Sequence, residues 1–327
     1  MIPSLIRSYL SRTSVLFVLL ATFWGGSFVA IEVGLHHFPP LYFAGIRYAV
    51  AGAVVLGYAA VTTDRWRPAH REDWLSVTVV GALIIAAYHG LLYVGELHVS
   101  GTVAAVVVSL SPVLTAAFAA ALLDERLTLV KVAGFGLGVA GVAVVAGFSP
   151  SNLLATDAVG VGLVFLGGAC FALGAVLIRP LRTDFSLAAM EGWGMVGGAA
   201  ALLVGGAFRG ESLAAIDPTP TALASLAYLT LVSGVVAFLV YFALLDRVGA
   251  TQINLVGYAE PVVATLVSWA LLGQFVGART AAGFLVIFAG FALVEGDALA
   301  GLVRSALPIG DAEDSAAWSG DAGPADD

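Results

Sequence analysis

The chain has 327 residues, of which 60% are apolar and 11% charged, with 22 acidic against 14 basic side chains for a formal net charge of −8. A soluble domain carries about 25% charged residues and covers its surface with them, so this composition excludes a water-soluble globule and a disordered chain alike. The acidic balance gives no support to a nucleic-acid partner, and the single cysteine, Cys170, excludes an intramolecular disulfide and a cysteine-based metal centre.

What remains is an integral membrane protein. A helix needs roughly 20 apolar residues to cross the hydrocarbon, and the apolar runs here are long and continuous instead of alternating as barrel strands do. In chain order they predict ten spans, at about 14–35, 39–62, 74–95, 99–123, 129–147, 158–181, 186–208, 219–246, 250–273 and 278–299. The first follows a short basic segment, residues 1–13, but runs too long for a signal-peptide core and lacks a cleavage pattern, so it is read as retained. After the last, residues 303–327 form an acidic tail; Asp311, Glu313, Asp314, Asp321, Asp326 and Asp327 stand there without one basic partner beyond Arg304. That composition predicts a disordered cytoplasmic extension.

Basic residues stay on the cytoplasmic side of a membrane. With ten spans and the N-terminus inside, cytoplasmic segments hold eleven of the basic residues and the outer segments only Arg209 and Arg279, while Arg47 falls within a span. The expected protein is therefore a multi-pass plasma-membrane protein with both termini cytoplasmic.

The chain also repeats itself. Setting Pro112 against Pro261 aligns residues 99–145 with 248–294 without a gap, and 15 of the 47 pairs are identical, Gly134/Gly283 and Gly141/Gly290 among them. Residues 14–147 and 158–299 thus read as two repeats of five spans each. Five is odd, so the second copy enters the membrane with opposite polarity. The predicted fold class is all-α, ten transmembrane helices in two inverted five-helix repeats, an architecture that places a site near the midplane between the repeats.

Ionisable groups inside a span are costly, by at least about 2.5 kcal/mol, and are functional candidates for that reason. Glu260 stands in the ninth span directly before Pro261, which leaves the Gly257 carbonyl without its usual donor; it reads either as a proton or substrate-ammonium site or as a lock on the kink. Pro112 is its counterpart in the fourth span, preceded by Ser111, and both prolines read as kink or gating points. His89, Tyr93 and Glu96 recur on one helical face, with His89 either a proton relay or a packed core residue. Asn254 and Tyr258 make another polar face, and at about 100° per residue Glu260 points away from Tyr258. Trp24 and Ser27, one turn apart, either line the path or pack. Arg47 is expected to pair with a carboxylate such as Glu32 or with an anionic substrate group. Glu32, Glu191 and Glu295 lie near span ends and read as interfacial. Gly134/Gly138 and Gly194/Gly198 have helix-packing spacing, and the first pair marks either a homodimer face or packing within the chain.

No Walker-type phosphate loop, His-Glu-x-x-His set or intraspan lysine is present, so no cofactor, metal or enzymatic activity is expected. Phe23-Trp24-Gly25-Gly26-Ser27-Phe28-Val29-Ala30, Pro40 with Arg47-Tyr48, and the stretch from Gly90 through Ser111-Pro112 to Asp124-Glu125-Arg126-Leu127 and Gly134 resemble the EamA family of the drug/metabolite transporter superfamily. Glu260-Pro261 followed by Leu272-Gly273-Gln274 resembles the second copy of the same pattern, with Gln274 where the family usually has Glu. The resemblance implies a ten-helix carrier exporting amino acids or other small metabolites, with helices 1–4 and 6–9 around a central cavity and helices 5 and 10 outside it. The rival readings are a channel-like facilitator and a non-transporting scaffold or receptor.

Overall fold

The computed structural model describes residues 2–123, 128–147, 156–181, 184–253, 255–294 and 296. The acidic tail, Asp124–Leu127, Glu295 and Asn254 lie outside them. The described residues through Val294 pack as one compact unit of helices, with no strand among them.

In chain order the helices are α1 (Ile2–Leu35), α2 (Pro40–Thr62), α3 (Arg71–Gly95), α4 (Gly101–Leu122), α5 (Leu129–Ala146), α6 (Thr156–Ile178), α7 (Leu187–Phe208), α8 (220–253), α9 (Val256–Leu272) and α10 (Ala278–Val294). Eight contain stretches long and apolar enough to cross a membrane, and α9 and α10, at 17 residues each, are shorter apolar helices. Seventeen residues of helix rise about 25 Å.

Two boundaries differ from the sequence expectation. Helix α8 runs through Arg247–Gly249 to Ile253, because one glycine costs a helix only about 1 kcal/mol and no proline follows to end it. Helix α4 is broken rather than kinked: it stops at Val108, turns through Ser109 and Leu110, and restarts at Ser111 with Pro112 in the new first turn, where a missing N–H costs nothing. Pro261, by contrast, sits inside a continuous α9. The matched prolines therefore do different work in the two halves.

Other features recur between the halves. Both α3 and α8 widen to a π-helical stretch mid-course, Val80–Ala87 and Tyr228–Val236. Helix α2 packs on α7, α5 on α10, α1 on α9 and α4 on α6, and these pairings map onto one another when the repeats are exchanged. The detail is residue-specific. Gly134 meets the Gly290 backbone and Gly141 meets the Gly283 backbone, so the two contacts swap under the repeat alignment. Likewise Gly45 meets Leu203 and Gly192 meets Leu56, again related by one register shift. Only a glycine allows backbones to approach this closely. Gly134 and Gly138 pack inside the chain, against α10 and Leu110, the within-chain alternative for that motif; Gly194/Gly198 likewise face Val80, Gly81 and Ile85 of α3.

Polar caps fix the helix ends. The buried Asp73 carboxylate accepts from Ala69 N and His70 N at 2.9 and 3.0 Å and from Arg65 Nη2 at 2.8 Å, holding the start of α3. Glu211, beyond α7, accepts from Leu41 N and Tyr42 N at 3.2 and 2.9 Å, a carboxylate at the positive end of α2.

Candidate functional site

The interior of the bundle holds a chain of polar side chains from α2 and α3. Arg47, 3% exposed, donates from Nη1 to the Tyr93 hydroxyl at 2.7 Å and from Nη2 to the Tyr48 hydroxyl at 2.8 Å. Its guanidinium carbon lies 4.3 Å from the Tyr48 ring centroid, within cation–π range. The Tyr48 hydroxyl in turn meets His89 Nε2, and His89 Nδ1 lies 3.0 and 3.2 Å from the Ile84 and Ile85 carbonyls. Carbonyls only accept, so Nδ1 carries the hydrogen; a neutral imidazole then takes the Tyr48 proton at Nε2. The π-helical widening of α3 is what brings those two carbonyls to the ring, a common use of such segments. Tyr88 completes the group, its ring packed at a tilt of 57° against His89 at 4.4 Å and Phe171 of α6 at 5.3 Å between centroids.

Three further carboxyl groups lie in the interior, and none forms an ion pair with this cation among the described residues. Glu96, 5% exposed, has both oxygens buried and unpartnered. Glu191 of α7 has a buried Oε2 with no hydrogen-bond partner. Glu260, 9% exposed, makes no hydrogen bond or ion pair with a described residue.

A separate network links α1, α4 and the end of α9. Glu32 of α1 accepts from Gly101 N, at the start of α4, at 2.7 Å, and from Gln274 Nε2, just past α9, at 2.8 Å. Gln274 Oε1 accepts from the Ser268 hydroxyl at 3.0 Å, which fixes the orientation of the amide. One carboxylate therefore ties both halves together.

Of the residues singled out from sequence, Arg47, His89 and Tyr93 come together, and Tyr48 and Tyr88 join them. Arg47 does not pair with Glu32, which is engaged by Gly101 N and Gln274, so the expected ion pair is absent. Glu191, one turn inside α7, has its Oε2 buried against the protein. Trp24 donates to the Ser233 carbonyl at 3.4 Å and packs at 5.8 and 5.6 Å on Phe238 and Tyr241. Ser27 turns back to the Trp24 carbonyl at 2.6 Å. Tyr258 stacks at 3.9 Å on Phe291 of α10, on the side of α9 away from Glu260, as the angular spacing required. Gly257 has no heavy atom near its Cβ position. Tyr48 was legible, since it adjoins Arg47, but its direction depends on the rotation of α2 against α3. Among the described residues no cluster of His, Cys, Asp and Glu is arranged to hold a metal ion.

A bundle of membrane-length helices that seals a guanidinium, an imidazole and carboxyl groups into an apolar interior defines a multi-pass membrane protein built around a polar centre. The model of the EamA-like transporter family matches residues 12–147 and 158–295, and the chain belongs to that family of membrane transporters. It is 26% identical over 280 residues to an uncharacterized transporter of Archaeoglobus fulgidus, covering 86% of this chain and 97% of that one. It is 27% identical over 254 residues to the uncharacterized inner membrane transporter YedA of Escherichia coli, covering 77% and 80%. A Streptantibioticus cattleyicolor protein named "Probable terminal-alkyne amino-acid exporter" is 28% identical over 267 residues, covering 81% and 87%. A crystal structure with 20% identity superposes with a TM-score of 0.61 over 90% of this chain and 99% of its own, a likeness of fold alone.

Proposed function

We propose that this protein is a secondary transporter that exports a small polar or amphipathic metabolite, amino-acid-like, across the plasma membrane with both termini in the cytoplasm. In this reading all ten helices cross the bilayer as two inverted halves, and these rock around the polar centre to expose it alternately to each side. The observation that carries the reading is the exchange of interhelical contacts between repeats, Gly134–Gly290 against Gly141–Gly283 and Gly45–Leu203 against Gly192–Leu56. Two halves with equivalent but inverted interfaces have two equivalent ways of packing, which alternating access needs. The relative named as an amino-acid exporter supports the substrate class. Glu260, buried and unpartnered beside Pro261 in α9, is the proton or cation site.

Counterflow in proteoliposomes loaded with a panel of amino acids, with and without a pH gradient, tests this. Saturable counterflow in at least one case is the expected result. Flux without counterflow makes the protein a channel-like facilitator, and no flux across metabolite classes makes it a scaffold or receptor. A pH jump is expected to change the rate in the wild type and to lose that effect in Glu260→Gln. Flux indifferent to both overturns proton coupling.

A further inference from the structure

The Arg47 guanidinium is a buried cation without an acid partner among the described residues. It is 3% exposed, and among the described residues no carboxylate lies within 4 Å of it. Both of its hydrogen-bond partners are neutral phenols, and its Nε–H is buried with no acceptor. Tyr48 is saturated: its oxygen accepts from Arg47 while its hydrogen goes to His89. Tyr93 differs, for its hydroxyl accepts from Arg47 and no hydrogen bond takes up its own proton. Three of the five guanidinium N–H groups, the Nε–H among them, and the Tyr93 O–H therefore have no acceptor among the described residues.

Burying a cation in a low-dielectric interior is tolerated when an anion completes it, and a guanidinium matches a carboxylate better than any other side chain does. Glu96 does not fill this role, because both its oxygens are unpartnered. The phenols and the backbone-anchored His89 hold the guanidinium in a fixed orientation at little cost in entropy, as a binding group needs.

We infer that Arg47, positioned by Tyr48 and His89, is an anion-binding residue that takes a free carboxylate of the solute through its Nε–H, with Tyr93 donating the second hydrogen bond. This deepens the transporter reading and rests on it for the word solute, but the anion site itself can be tested without transport. It makes the carboxylate, and not the side chain of the cargo, the group this half of the bundle recognises.

The test uses the purified full chain and thermal unfolding with matched pairs of probes, benzoate against benzamide, L-phenylalanine against phenylalaninamide and L-leucine against leucinamide. At least one acid is expected to raise Tm by about 3 °C near saturation while its amide does not, and Arg47→Gln is expected to abolish that difference. Tyr93→Phe removes one donor and keeps the charge, so it is expected to weaken the acid's apparent affinity severalfold and serves where Arg47→Gln does not fold. The inference is overturned if no acid surpasses its amide, or if the preference survives in Arg47→Gln or is unchanged in Tyr93→Phe. An acid response with no counterflow of any panel member leaves the anion site standing and removes the transporter reading; counterflow without an acid preference does the reverse.

Discussion

Arg47 shows how a single residue identity and its exact surroundings divide between sequence and structure. That a charged residue inside a span is functional or paired follows from solvation cost alone. Which groups meet it does not, because the choice between Glu32 on α1 and the phenols of Tyr48 and Tyr93 depends on how α2 is rotated against its neighbours. Tyr48 is the hub, holding Arg47 Nη2 on one side and His89 on the other. Tyr48→Phe leaves a charged donor and an imidazole acceptor unsatisfied at once, and is expected to cost about 1–3 kcal/mol, read as a lowered Tm of the purified protein.

At the level of helices, small residues decide which surfaces meet. A Cβ at Gly134 would run into the Gly290 carbonyl, whereas Gly136, two residues on, has nothing within 4 Å. Gly134→Ala is therefore expected to destabilise by about 1–3 kcal/mol through overpacking against backbone that cannot move aside. Gly136→Ala is expected to be neutral or to stabilise by up to about 1 kcal/mol through helix propensity. Equal effects in thermal unfolding would refute the packing account. The repeat that carries these glycines was legible, because identities at Gly134/Gly283 and Gly141/Gly290 align without a gap. The crosswise pairing was not, since sequence alignment relates equivalent positions and says nothing of which ones touch. Likewise Pro112 and Pro261 match in sequence but one restarts a helix and the other lies within one, because the outcome depends on whether neighbouring helices hold the freed turn straight.

Across the whole molecule, Glu32 is the point where both halves are joined at one end, through Gly101 N and Gln274 Nε2. An amide at 274 donates to that carboxylate; a carboxylate there would oppose it. Gln274→Glu is expected to open this end. In a background with Cys170→Ala and Ser27→Cys, an impermeant thiol reagent is expected to label residue 27 severalfold faster when Gln274→Glu is added; an unchanged rate would show that Glu32 does not govern closure.

The sequence by itself determined that this chain is a membrane protein of apolar helices, that it is built twice over, and that it carries the EamA pattern. Those conclusions rest on transfer free energy and on periodicity, which are properties of the chain read in order. Tertiary structure alone decided that Arg47 is held by phenols without an acid, that Glu191 has its Oε2 buried against the protein, that Gly134 and Gly138 pack within the chain, and that Glu32 and Gln274 meet. Each of these depends on the rotation and depth of one helix against another, set by the packing of many small contacts that no local pattern encodes.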